Sequence, residues 1–193
     1  MANLQQILSY NQQFVDNKDY EQYATSRFPD KRMVIVTCMD TRLTELLPKA
    51  MNLKNGDAKI IKNAGAIVTQ PFGNIMRSIL VALYELQSDE VFIIGHYDCG
   101  MTGINPEEIV HHMQERGVSE NTINTLKHSG VNLMRWLTGF DNVKESVINS
   151  VSIVRNHPLL PADIRVHGLI ITPETGELEL VDDGNAYLQS LKK

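Results

Sequence analysis

The residues of this chain best suited to chemistry are its only two cysteines, Cys38 and Cys99, and His96, which stands three positions before the second of them. Two thiolates and one imidazole make the donor set of a tetrahedral zinc site, and three protein ligands leave the fourth position for water. The His-x-x-Cys spacing lets both side chains reach one ion from a single turn, whereas Cys38 has to arrive from a neighbouring element. Either half alone is a weak signal, because a cysteine at a strand end commonly serves packing and so short a motif arises by chance. Asp40 follows Cys38 by two positions, and Arg42 follows Asp40 by two. Three uses are open to that carboxylate. It can bind the metal and close the site, or it can cap the following helix, a place that suits Asp and Thr. It can also pair with Arg42, which lowers its pKa and keeps it an acceptor able to orient a metal-bound water.

Both halves of the set stand just past apolar runs. Val34-Ile35-Val36-Thr37 leads into Cys38, and Val91-Phe92-Ile93-Ile94-Gly95 leads into His96. Such uninterrupted apolar stretches read as strands buried on both faces, and in open α/β sheets ligands bind beyond the carboxyl ends of those strands. A third short strand, Lys59 to Lys62, ends in Asn63-Ala64-Gly65-Ala66, small residues that allow close backbone approach or a positive φ. Phe72 to Gln87 carries Ile75, Ile79, Leu83 and Leu86 at helical spacing, and the strand-helix-strand order implies parallel strands with right-handed crossovers. Helices are expected over 106–116, 119–127, 131–137 and 142–156, the last opened by a capping-box pattern at Asn142 and Glu145. Ile164 to Thr172 and Glu177 to Val181 read as a hairpin across Pro173-Glu174-Thr175-Gly176, its second strand half-exposed at a sheet edge, and Asn185 to Leu191 as a last helix. At the other end, Leu4, Ile7, Leu8, Phe14 and Val15 form a helical stripe from Ala2 to Val15, followed by a short helix over Tyr20 to Ser26. That stripe needs a surface to cover, on its own sheet or on a partner subunit. The expectation is an α/β fold with a mainly parallel central sheet flanked by helices and an antiparallel C-terminal edge strand. Residues 1–193 form one domain, with 1–27 as a helical arm.

With a formal net charge of −5 and no basic patch, the chain lacks the footprint of a nucleic-acid or anionic-membrane binder. Its longest apolar runs fall far short of the roughly 20 residues that span a bilayer, and neither export nor insertion is signalled, which suggests a cytoplasmic protein. A nucleotide-binding α/β domain would show a Gly-rich phosphate loop after the first strand, and a dithiol redox protein a C-x-x-C pair; neither occurs.

Taken in order, Cys38-x-Asp40-x-Arg42, Asn63-Ala64-Gly65 and His96-x-x-Cys99-Gly100 resemble the signature of β-class carbonic anhydrases, and Asp98-Cys99-Gly100-Met101 is similar to the compact prokaryotic branch. The resemblance implies one Zn2+ per chain on Cys38, His96 and Cys99, with Asp40 and Arg42 as the catalytic pair. It implies reversible hydration of carbon dioxide to bicarbonate and a proton by metal-activated water. It also implies a homodimer or larger even oligomer, with active sites near the interface and an N-terminal helix reaching across. Two positions depart from many relatives: Tyr97 where they have Ser, and Lys62 where they have Arg, a point charge in place of a bidentate fork. His111 and His112 fall on a polar helix and read as solvated surface residues. Two other functions fit the same motifs. One is hydrolysis of carbonyl sulfide or carbon disulfide on the same zinc scaffold. The other is a zinc-bearing binding protein in which Asp40 is a permanent fourth ligand, against which Arg42 counts.

Overall fold

The apolar run Met33–Cys38 (β1) forms the second strand of a five-stranded sheet in the computed structural model, which describes residues 3–192. On one side of it lies Ala58–Asn63 (β2), and on the other Glu90–His96 (β3), followed by Arg165–Ile171 (β4) and Leu178–Asp182 (β5). The first four strands are parallel and β5 runs antiparallel along β4, as the hairpin across Pro173 to Gly176 requires. The register sets Cys38 opposite Asn63, Thr37 opposite Ile94, and His96 opposite Ile171. The carboxyl ends of β1, β2 and β3 therefore lie side by side, and the loops beyond them share one edge.

Strand alternation divides the core into two layers. Val34, Val36, Val91, Ile93, Val166 and Ile170 face two helices, Asn74–Tyr84 (α3) and Val143–Arg155 (α7), which present Met76, Ile79, Ala82, Leu83, Val147, Val151 and Val154. Ile35, Ile94 and Ile171 face the opposite way, onto Leu43 and Leu47 of Leu43–Ala50 (α2) and onto Cys38 and Cys99. Close approach of α7 depends on glycine: a Cβ on Gly95 or Gly168 would stand 2.8 Å from a methyl of Val147. Asn142 caps α7 by accepting from the amides of Lys144 and Glu145, and this agrees with the sequence reading. The α3 helix is shorter than its apolar pattern suggests. It opens after extended Gly73 and gives out beyond Tyr84, where Gln87 takes a left-handed φ of 61°.

The middle of the chain supplies Pro106–Glu115 (α4), Glu120–His128 (α5) and Leu133–Leu137 (α6), each started by a side-chain cap from Asn105, Ser119 and Asn132. Gly184–Ser190 (α8) closes the fold. Asn3–Asp16 (α1) matches the N-terminal stripe, although Ala2 lies outside the described residues; the segment after it is a 3-10 turn at Asp19–Tyr23. The α1 helix has no buried residue, and Leu4, Ile7 and Leu8 are more than half exposed at 66%, 62% and 54%. Among the described residues no helix is long and apolar enough to cross a membrane.

Candidate metal centre

Cys38 closes β1, His96 closes β3, and Cys99 follows on the turn after β3. Because β1 and β3 are hydrogen-bonded neighbours, residues 58 positions apart in sequence meet at one edge, and all three side chains are buried. One donor atom from each lies within 4.8 Å of the others, and the two sulfurs are 3.9 Å apart. Tetrahedral zinc with Zn–S bonds of about 2.3 Å would set two thiolates about 3.8 Å apart, so the separation suits that ion.

The imidazole is prepared in the same sense. His96 Nδ1 lies 2.7 Å from the carbonyl oxygen of Tyr97. A carbonyl only accepts, so Nδ1 carries the proton and the Nε2 lone pair is left free. Nε2 is buried and has no hydrogen-bond partner, a costly arrangement unless another group engages it. This outer contact to a ring N–H is the one that metal-binding histidines use.

Burial pushes both thiols up, and their surroundings then divide them. At Cys38, the His96 ring beside it and the backbone of Asp40 and Gly65 together outweigh burial and bring the thiol down to about 7. At Cys99, burial prevails over a single bond from the backbone of Met101, and the neighbouring Cys38 sulfur adds to it, so the thiol is pushed up to about 11. For His96 burial disfavours the charged form, but the Cys38 sulfur beside it, the Tyr97 carbonyl and the Asp40 charge raise its pKa overall. The pocket thus favours one thiolate before any cation enters, and a cation is the natural charge to release the second proton. Donor types, spacing and the orphaned Nε2 together fit a zinc ion.

Asp40 and Arg42 form a pair beside this cluster. Asp40 Oδ2 accepts from Arg42 Nη2 at 2.8 Å, and Oδ1 accepts from Nε at 3.1 Å and from the Arg42 amide at 2.8 Å. These bonds from Arg42 hold the Asp40 carboxyl down at about 2. Asp40 Oδ2 is also only 3.8 Å from His96 Nε2. Helix capping accounts for only part of the residue: the bond from the Arg42 amide to Oδ1 is of the kind that caps a helix start, whereas the bonds from the guanidinium and the approach of Oδ2 to His96 lie outside that role.

The Asn63-Ala64-Gly65 loop lies against the same edge. Gly65 has φ 77°, and a Cβ there would meet Ile67 at 2.9 Å and Met101 at 3.1 Å, so glycine fits this turn where a side chain would be crowded; its backbone bonds the Cys38 thiol. Asn63 donates from Nδ2 to the Ile67 carbonyl at 2.7 Å and pins the loop. Lys62 donates to Thr44 Oγ1, and the Tyr97 hydroxyl donates to Glu179 of β5. Of the histidines without a role in the sequence reading, His111 and His112 are exposed on α4, and His167 is buried against Glu90. Sequence reasoning gave no role to Asp98, which meets the far side of Arg42, nor to the carbonyl of Tyr97. The only sequence signal for either was position, since both fall between two metal-ligand candidates. A cavity of about 760 Å³ between residues 67–70 and the 131–153 helices contains none of the five chemical residues, so their chemistry, not cavity size, marks the site.

Comparison with known proteins bears on this arrangement. The sequence model of the family described as "Carbonic anhydrase" matches residues 33–178. "Putative carbonic anhydrase YvdA" of Bacillus subtilis (strain 168) is 60% identical over 184 residues, which are 95% of this chain and 93% of that protein. "Carbon disulfide hydrolase" of Acidianus sp. (strain A1-3) is 28% identical, covering 86% of this chain and 88% of that one. The crystal structure of β-carbonic anhydrase isoform I from Trichomonas vaginalis superimposes with a TM-score of 0.85 at 34% identity, over 95% of this chain and all (100%) of the other. With the fold, the ordered motifs and these likenesses in agreement, the chain belongs to the β-carbonic anhydrase family.

Proposed function

We propose that the protein catalyses reversible hydration of carbon dioxide to bicarbonate and a proton, with one zinc ion on Cys38, His96 and Cys99 and with Asp40 and Arg42 as the catalytic pair. The position of Asp40 carries this reading: its Oδ2 is 3.8 Å from His96 Nε2, while both of its oxygens are engaged by Arg42. A carboxylate held in that way would be an acceptor beside a bound zinc ion and not one of its ligands, so Cys38, His96 and Cys99 would be the residues that hold the ion. Zinc supplies Lewis acidity that brings the pKa of a water down towards neutrality, less so when thiolates donate charge to it.

The chain's own groups do the positioning. Asp40 stays ionised through the neutral range because Arg42 depresses its pKa, so it accepts a hydrogen bond from the attacking water and aims the oxygen lone pair at the carbon. His96 keeps Nε2 available by giving its Nδ1 proton to the Tyr97 carbonyl. Ile35, Leu43, Leu47, Ile94 and Ile171 pack around the two thiols, and a floor of this kind suits an uncharged, apolar substrate. Arg42 is 39% exposed, so the pair lies at the mouth of the site, where the released proton passes to solvent and buffer.

Residues 1–27 act as an arm on a single zinc-binding domain, and the assembly is a homodimer. The apolar stripe of α1 supports this, since Leu4, Ile7, Leu8 and Val15 are exposed in their own protomer and only Phe14 finds a partner there, stacking on Tyr23. Relatives named carbon disulfide hydrolase favour a second reading, hydrolysis of carbon disulfide or carbonyl sulfide. The test is turnover of all three small substrates on one zinc-loaded preparation. Hydration of carbon dioxide is expected to dominate; faster turnover of a sulfur substrate would replace this proposal with the second reading.

A further inference from the structure

Arg42 is gripped on two edges, and only one of them belongs to Asp40. Asp40 takes N–H groups of Nε and Nη2. On the other edge, Asp98 Oδ2 accepts from Nη1 at 2.8 Å and the Asp98 carbonyl accepts from Nη2 at 2.8 Å. A further carboxylate, Glu174 in the β4–β5 turn, stands 3.9 Å from Nη1. Asp98 sits on the turn between His96 and Cys99 with a left-handed φ of 52°, a conformation that Asp tolerates better than most residues. From there its backbone and its side chain both reach one guanidinium. Asp40 and Asp98 use different N–H groups, so they do not compete for donors. The Asp98 side chain is 78% exposed; water screens its charge, and its contribution to Arg42 is mainly direction.

We propose that Asp98 is a positioning residue for the Asp40–Arg42 pair: it fixes the plane of the guanidinium so that Arg42 retains Asp40, and without it Asp40 turns towards the metal and closes the fourth position. The inference rests on the metal-site reading above. It also ties the turn that carries two ligands to the strand end that carries the third.

The test compares the parent, Asp98→Gly and Asp98→Asn in zinc affinity, by chelator competition, and in kcat for carbon dioxide hydration. Glycine suits the left-handed backbone and keeps the carbonyl, so this variant removes the carboxylate alone. Asp98→Gly is expected to bind zinc about threefold more tightly, because Asp40 becomes a fourth ligand, and to lose about threefold in kcat, the size set by an exposed charge pair. Asp98→Asn keeps an acceptor for Nη1 and should move both quantities in the same directions by less. A merely structural role would loosen the ligand turn and weaken zinc binding. Unchanged or weaker zinc affinity in Asp98→Gly would overturn the proposal. Because zinc affinity is read without turnover, failure here is distinguishable from failure of the carbon dioxide assignment.

Discussion

Replacing Gly65 with Ala probes the least conspicuous support of the metal centre. The residue sits at φ 77°, where a side chain costs roughly 1–2 kcal/mol relative to glycine. The new Cβ would also stand 2.9 Å from Ile67 Cδ1 and 3.1 Å from Met101 Cγ. Ile67 Cδ1 is the end of its side chain and can give, whereas Ile67 Cγ1, at 3.0 Å, and Met101 Cγ lie nearer their backbones, so repacking adds to a loss whose scale the backbone cost sets. Ala66 next door already has φ 57°, so the variant would place two alanines in succession in this region. For a chain of this length each kcal/mol shifts Tm by about 2–4 °C, which gives an expected loss of about 2–8 °C in a thermal melt. The chemical consequence is separate. The Gly65 backbone is one of the groups that bring the Cys38 thiol down to about 7, and a displaced loop withdraws that bond. In the metal-free variant, ultraviolet thiolate absorbance should therefore show the first thiol titrating at higher pH than in the metal-free parent. An unchanged Tm together with an unchanged thiol titration would refute the assignment of this loop to the site.

Other outcomes follow from the same geometry. Arg42→Ala and Asp40→Asn should both retain zinc and lose on the order of a hundredfold in kcat, the contribution of an orienting acid–base group; Arg42→Ala hydrating carbon dioxide at the parent rate at every pH would remove the pair from catalysis. Arg42 holds Asp40 at about 2 against an ordinary 3.8. A depressed carboxylate gives its stabilisation in full above the ordinary value and loses it as pH falls from 3.8 towards about 2. The parent should thus show no Asp40 titration in its neutral pH–rate profile, which a measurement of that profile checks. Deleting residues 1–18 should weaken both association and activity, as measured by sedimentation and hydration assay, whereas an active monomer at micromolar concentration would contradict the dimer.

The strands that carry the site were legible because β1 and β3 are buried on both faces and leave uninterrupted apolar runs. Cys38, His96 and Cys99 stood out by donor type and by their place after those runs, and the parallel register then brings them together. The hairpin and its edge position were also readable, but the exposure of its side chains was not: Leu178 packs into the core while Leu180 is 57% exposed, next to a register shift between β4 and β5. The length of α3 was over-read, because its apolar spacing continues past the left-handed turn that ends it. Asp98 and the Tyr97 carbonyl were silent in sequence for a different reason. The carboxylate of Asp98 meets Arg42 only because a left-handed backbone turns it there, and Tyr97 contributes a backbone oxygen, so residue type alone marks neither contact. The α1 stripe was legible as a helix with an apolar face, most of which is exposed in one chain.

Zinc content per chain, measured on the purified parent and on Cys99→Ser, tests the central claim most directly. One zinc per chain is expected in the parent, held by two thiolates and one imidazole. The metal, and hydration with it, should be lost when one thiolate becomes a hydroxyl. Full retention of zinc by Cys99→Ser would contradict the claim.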